Sequence, residues 1–164
     1  SSATRPAHGT HAAAAAGVAS SLLADGQTAG RVATMIQRLQ PIPNERLYDL
    51  AWAIARWSRN YGVRPELVVA VIFVESRFDP LARNGPHVGL CQLGPAVRRA
   101  YHVTEPFDIG QNVRGACGHL GALLQYSDER TSLSIYNGGP GGANSKACQG
   151  YASRVLAIAG GGSQ

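Results

Sequence analysis

The chain has 164 residues, 45% of them hydrophobic and only 15% charged, a balance that allows one ordinary core and excludes both a disordered chain and a second full domain. Its formal charge of +5 comes from fourteen arginines and one lysine; these are scattered, with only Arg98 and Arg99 adjacent, so they describe a solvated basic surface rather than a nucleic-acid motif. The longest apolar run, Leu67 to Val74, has eight residues, far short of the roughly 20 that span a bilayer.

In chain order, residues 1–11 are polar, hold Pro6 and Gly9, and are expected to be loose. Residues 1–20 have neither the basic start nor the continuous apolar stretch of a signal peptide. A chain that begins at Ser1 is expected to have been processed, trimmed or engineered. Alanine-rich Ala12–Ala24 predicts a helix weakened by Gly17. A second helix is predicted over Thr28–Gln40, where Val32, Met35, Ile36 and Leu39 recur at helical spacing, until Pro41 and Pro43 stop it. Residues 1–43 thus read as an N-terminal extension, partly helical and partly disordered. The next helix is expected to be capped by Asn44, to carry Leu47, Leu50, Ala51, Ile54 and Trp57 on one side, and to end at Gly62.

Pro65 suits the first position of a further segment, Pro65–Ser76, which is apolar nearly all round. Its β-branched content fits a buried strand as well as a central helix. Residues 79–95, rich in Gly and Pro, predict a long ordered loop or a short hairpin. Helices are expected over Gln111–Tyr126 and Thr131–Tyr136, with a strong break at Asn137–Gly142 and a closing helix at Tyr151–Ala159. The result is an all-α, or mainly α, domain over 44–159, with 160–164 as a disordered tail.

Three cysteines, Cys91, Cys117 and Cys148, match no zinc spacing. Two readings stay open for the last two. A disulfide would close a loop of about 30 residues, worth roughly 3–4 kcal/mol in the chain-entropy model; in a reducing compartment they would be small buried hydrophobes.

Glu75 directly follows the eight apolar residues, at the exit of the most hydrophobic segment. A carboxyl placed there loses hydration, which raises its pKa, as a proton donor near neutral pH requires. Taken alone it reads as readily as a solvated helix-end glutamate.

The surrounding pattern decides between these readings. Four segments in order resemble the lytic transglycosylases with a goose-lysozyme-like domain. Val74-Glu75-Ser76-Arg77-Phe78-Asp79-Pro80-Leu81-Ala82 is similar to the family's Glu-Ser segment, and Gly89-Leu90-Cys91-Gln92-Leu93 to its Gly-Leu-Met-Gln segment. Phe107-Asp108 with Asn112-Val113, Gly115-Ala116 and Leu120 resembles the Asn-Ile helix. Ile135-Tyr136-Asn137-Gly138-Gly139 resembles the Ala-Tyr-Asn-x-Gly segment, and Tyr151 with Val155-Leu156 fits the closing helix. Each match alone is weak; four in register over residues 66–156 are specific. Cys91 stands where the family usually has methionine, Val97 where threonine is common, and Ile135 where alanine precedes the tyrosine.

The resemblance implies a lysozyme-like fold and a peptidoglycan lytic transglycosylase, a non-hydrolytic muramidase. It cleaves the β-1,4 bond between N-acetylmuramic acid and N-acetylglucosamine and leaves a 1,6-anhydro end. Carried over by position, Glu75 is the general acid and then base. Ser76 orients or supports it by hydrogen bonding, Gln92 contacts substrate or lines the cleft, Tyr136 places its hydroxyl near the glutamate or the sugar's acetamido group, and Asn137 binds substrate or shapes a turn. Asp79 and Asp108 read as turn formers. The reaction implies no metal and no cofactor. Its partner is the peptidoglycan strand, and its place the periplasm or cell wall, reached by export or carried by a phage particle or secretion apparatus. The rival functions are a hydrolytic lysozyme of related fold and a silent glycan-binding component of such an assembly. Nucleic-acid binding would rest on net charge alone.

Overall fold

The computed structural model describes residues 8–160, with side chains from Ala12 onward. Residues 1–7 and 161–164, where most of the expected disorder falls, lie outside the described residues. Where the sequence predicts a loose start and two helices, there is one helix, α1, from His8 to Leu39. It is continuous because tertiary contacts hold the expected break. Asp25 is buried and accepts from Arg59 Nε at 2.8 Å and Nη2 at 3.0 Å. At neighbouring Gly26 the helix lies close to the Trp52 ring, where a Cβ would be in ordinary van der Waals contact at 3.5 Å. Ala29, Val32 and Ile36 continue the buried face into the core.

Helix α2, Asn44–Tyr61, buries Leu50, Ala51, Ile54, Ala55 and Ser58. Asn44 is its first helical residue rather than its cap; Pro43 takes that position without a side-chain bond. Gly62, at φ 65°, ends the helix in the left-handed conformation expected of a terminator.

The apolar segment is helix α3, Pro65–Ser76, with Pro65 in its first turn and every residue from Leu67 to Ile72 buried. A segment apolar on all sides is stable as a helix here because α1, α2 and the last helix, α7 (Lys146–Ala159), all pack on it. Arg64, just before α3, donates from Nε and Nη2 to Glu129 at 2.6 and 2.9 Å, and from Nη1 to the Ala159 carbonyl at 3.2 Å. That fork ties the start of α3 to the start of α6 (Glu129–Gly138) and the end of α7.

Residues after α3 form a short antiparallel hairpin, β1 (Arg83–Asn84) with β2 (His87–Val88), in the register Arg83 to Val88. A six-residue helix, α4 (Pro95–Ala100), follows where none was predicted. Helix α5, Ile109–Leu124, starts two residues earlier than expected because Asp108 Oδ1 accepts from Gln111 N at 2.8 Å. Asp128 caps α6 in the same way through Thr131 N at 2.7 Å. The glycine-rich break is a 3-10 turn, Gly139–Asn144, and Ser145 then caps α7, so that helix begins five residues before Tyr151. The architecture is mainly α with one two-stranded sheet. No helix among the described residues is long and apolar enough to cross a membrane. All three cysteines are free and buried, so Cys117 and Cys148 take the small-hydrophobe role.

Candidate active site

Glu75 lies in the last turn of α3, half-buried. Immediately after it the chain turns sharply: Arg77 and Phe78 both have positive φ, 51° and 63°. Two successive non-glycine residues in this region are strained. Burial of Phe78, fully covered and tilted against Phe73 at a centroid distance of 5.6 Å, holds them there. The reversal keeps Glu75 at the mouth of a cavity rather than out in solvent. Loss of hydration raises its pKa; a hydrogen bond from Tyr151 and the positive charge of Arg154 oppose that rise.

The cavity has a volume of about 250 Å³ and is lined by Glu75, Asn84, His87, Gln92, Tyr136 and Asn137. Of the residues predicted for the site, four are therefore brought together: Glu75, Gln92, Tyr136 and Asn137. Ser76 is not among the lining residues. Its hydroxyl donates back to the Ile72 carbonyl at 3.1 Å and not to Glu75. A second arm of about 500 Å³ shares His87, Gln92, Tyr136 and Asn137 and runs on past Pro95, Val97 and His119. Together they make a groove with Glu75 at one end.

Gln92 sits at the tip of the loop after β2, at φ 50°. Its Nε2 donates to the carbonyls of Gly89 at 2.8 Å and Ala82 at 3.1 Å. Oε1 is buried without a partner, an acceptor left to serve an amide or hydroxyl in the groove. Asn112 of α5 anchors this loop: Oδ1 accepts from Cys91 N at 2.8 Å, and Nδ2 donates to Val88 O at 3.2 Å and Pro106 O at 2.8 Å. Gly89, at φ 81°, lets the loop pass; a Cβ there would collide with the Asn112 side chain and the Pro106 carbonyl.

The Tyr136 hydroxyl donates to the Cys91 carbonyl at 3.0 Å, so it braces the loop instead of bonding Glu75. Burial and nearby acidic groups put its pKa well above the ordinary phenol value, leaving a neutral hydroxyl with lone pairs free to accept. His119 lies between Tyr101 and Tyr136, with centroids 6.2 and 5.5 Å away; burial lowers its pKa and favours the neutral ring. The partner of Glu75 is Tyr151 of α7, whose hydroxyl donates to Oε1 at 2.7 Å. Sequence reasoning placed Tyr151 in the closing helix without a role in the site, and did not single out Asn84 or His87. The motif position of Tyr151 was visible, but the contact joins residues 76 positions apart.

Among the described residues no second carboxylate lines the cavity. Asp79 Oδ1 accepts from Leu81 N at 3.0 Å and Asp108 caps α5, so both shape turns. A larger cleft of about 740 Å³ lies between α1 and α2. The carboxylate among its described lining residues, Asp25, is held in an ion pair with Arg59. Among the described residues no three His, Cys, Asp or Glu side chains gather as a metal site.

Over 99 residues, 58% of this chain and 37% of the relative, the protein is 36% identical to a transglycosylase of Enterobacteria phage PRD1. Over 120 residues, 68% of this chain and 24% of the relative, it is 30% identical to membrane-bound lytic murein transglycosylase F of Desulfosudis oleivorans. The chain thus spans less than two fifths of either relative. A solved structure of an inactive mutant of the lytic transglycosylase Slt from Pseudomonas aeruginosa shares the fold, with a TM-score of 0.56 at 22% identity over 65% of this chain and 22% of that one. The family model described as the Transglycosylase SLT domain matches residues 53–154, well over half of the chain and every element of the groove, and the protein belongs to that family.

Proposed function

We propose that this chain cleaves peptidoglycan as a lytic transglycosylase, with Glu75 as its one acid–base residue. The observation that carries the reading is a single half-buried carboxyl, its pKa raised by desolvation, facing a groove that contains no other acid. A hydrolase that delivers water ordinarily uses two carboxylates. A transglycosylase needs only one, because the nucleophile is tethered to the substrate.

Glu75 donates its proton to the oxygen between N-acetylmuramic acid and N-acetylglucosamine as that bond breaks. The adjacent acetamido group stabilises the positive charge that develops at the anomeric carbon. Glu75, now ionised, accepts the proton of the same sugar's 6-hydroxyl, whose oxygen closes onto the anomeric carbon. The bond made is C1–O6, the bond broken is the glycosidic C1–O, and no water is consumed. The free Oε1 of Gln92 suits the N–H of an acetamido group; Tyr136 and Asn137 complete the wall. Ser76, bonded to Ile72, shapes the helix end. We take 44–159 as the catalytic unit and residues 1–43, which include α1, as an N-terminal extension whose end packs on it.

Peptidoglycan lies outside the cytoplasmic membrane, so the chain acts in the periplasm or cell wall. The likeness to a phage transglycosylase supports delivery by a particle or a secretion apparatus as an alternative to export. The test is mass spectrometry of digested sacculi, with wild type and Glu75→Gln side by side. Muropeptides with 1,6-anhydro ends, one water lighter than hydrolysis products, are expected from wild type and none from the variant. Reducing ends only would make the chain a lysozyme; binding to sacculi without release of muropeptides would make it a silent glycan-binding component.

A further inference from the structure

Gln40 follows α1 directly and stands half-buried between Leu39 and Pro41. Its side-chain Nε2 donates to the Arg77 carbonyl at 3.2 Å, across 37 positions of sequence. We propose that Gln40 is a positioning residue for the lytic reaction: its bond fixes the strained turn that keeps Glu75 at the mouth of the groove. The proposal rests on Glu75 as the acid and goes beyond that reading by giving the N-terminal extension a part in the active site. Gln40 precedes residue 53, where the family match begins, so the contact is made from outside the segment that the family shares.

The turn calls for such a hold. Arg77 lies at φ 51°, ψ 41° and Phe78 at φ 63°, a left-handed pair that residues with a Cβ adopt only when their surroundings impose it. Side chains and amides are tied by other groups. Phe78 is buried, and the Arg77 guanidinium lies 4.9 Å from the centre of the Phe73 ring. Arg77 N donates to Phe73 O and Asp79 N to Ser76 O, each at 3.1 Å. None of these bonds holds the peptide unit between Arg77 and Phe78, whose orientation sets ψ of the first and φ of the second. Its carbonyl is the group that Gln40 bonds, and among the described residues Gln40 is its one donor.

Gln40 acts as a clamp because it is itself held. Its own N–H donates to the Ile36 carbonyl at 2.9 Å. Gln37 exchanges two bonds with Ile42: its Nε2 donates to the Ile42 carbonyl at 3.3 Å, and Ile42 N donates to its Oε1 at 3.1 Å. Pro41 and Pro43 stiffen the residues on either side of Ile42. Ile36 and Ile42 are buried in the core, where α1 packs on α3. An ordinary surface bond adds stability alone. This one lands two residues after the acid, on the backbone that turns away from it.

The experiment uses the full chain. Gln40→Met keeps the length of the side chain without a donor, and Gln40→Lys restores a donor. On solubilised glycan strands Gln40→Met should lower kcat about fivefold, the size expected from one hydrogen bond. KM should stay as it is, the pattern of an interaction felt in the transition state. Gln40→Lys should recover most of the loss. The control, Asp25→Asn with Arg59→Gln, loosens α1 from α2 elsewhere; it should lower Tm and leave kcat as in wild type. Equal loss of kcat in the control would trace the effect to docking of α1 in general. Unchanged kcat in Gln40→Met would leave the bond a surface tie, and either result overturns the proposal. Amide exchange reads the turn without turnover: the Arg77 and Asp79 amides should exchange about fivefold faster in Gln40→Met, while those in the middle of α5 keep their rate. If wild type releases no muropeptides and this difference is still found, the lytic reading falls and the clamp stands. Exchange identical to wild type overturns the clamp whatever the activity.

Discussion

The Tyr151 hydroxyl donates to Glu75 Oε1 at 2.7 Å, linking the last helix to the end of the central one. Burial, together with the glutamate beside it, puts the Tyr151 pKa well above the ordinary phenol value, so the tyrosine stays the proton donor of this pair. The bond stabilises the ionised form of Glu75 and so limits how far desolvation lifts its pKa.

Tyr151→Phe should therefore raise the Glu75 pKa further. The first step needs protonated Glu75, so activity falls as pH rises through that pKa. In the variant the alkaline limb of the kcat/KM profile should move to higher pH. Meanwhile kcat at the optimum should drop about tenfold, because the acid is less well placed. A pH–rate profile on sacculi checks both. An unmoved or acid-shifted limb would show that the bond does not tune the carboxyl.

Glu75→Gln should abolish lysis, a loss on the order of 10²–10⁴ for a general acid, while changing stability in a pH-dependent way. A carboxyl whose folded pKa exceeds its unfolded value, about 4.3, binds more protons in the native state between the two. Its stabilising contribution is complete below the unfolded value and is lost as pH rises through the folded one. Wild type should thus lose Tm over that window relative to Glu75→Gln, and the gap should close in acid. Thermal melts from pH 4 to pH 8 measure it; a gap of opposite sign would mean that the carboxyl is better solvated in the fold than out of it.

Asn112 is 1% exposed and fills three hydrogen bonds that hold the Gln92 loop. Asn112→Ala leaves the Cys91 N–H and the Pro106 carbonyl unpaired, while the Val88 carbonyl keeps its bond from Leu93 N, and should cost roughly 2–4 kcal/mol. Asn112→Asp, nearly the same shape, should cost as much, since it turns an acceptor toward the Val88 and Pro106 carbonyls. Urea unfolding gives the stability. Activity should fall more than the folded fraction explains, because Gln92 loses its anchor.

The cysteines should be inert in the native protein. Burial raises the Cys91 pKa well above its ordinary value and pushes Cys117 up to about 12, so the reactive thiolate is scarce. Cys148 is also buried. An aromatic disulfide reagent at pH 8 should label no thiol quickly in the folded chain and three after denaturation. Two missing thiols after denaturation would reveal a disulfide.

The structure departs from the sequence-based expectations for three different physical reasons. The break expected near Asp25–Gln27 is absent because Arg59 and Trp52, on another helix, hold Asp25 and Gly26 in place. Local propensity carries no information about such partners. Helices α5, α6 and α7 all start earlier than expected because Asp108, Asp128 and Ser145 cap them, a local signal carried by the residue types themselves. Whether Pro65–Ser76 was helix or buried strand could not be read from an all-apolar run, since no polar face marks its period.

By itself, the sequence determined where an acid meets an apolar run, and which short segments, spread over some ninety positions, belong to one family pattern. Glu75, Gln92, Tyr136 and Asn137 were legible because motif order survives without coordinates. Only the tertiary structure decided what each of them touches: Tyr151 rather than Ser76 on the glutamate, the Cys91 carbonyl under Tyr136, Asn112 behind Gln92. Hydrogen-bond partners depend on distance in space, and a folded chain brings together groups whose separation in sequence exceeds any period that local spacing can encode.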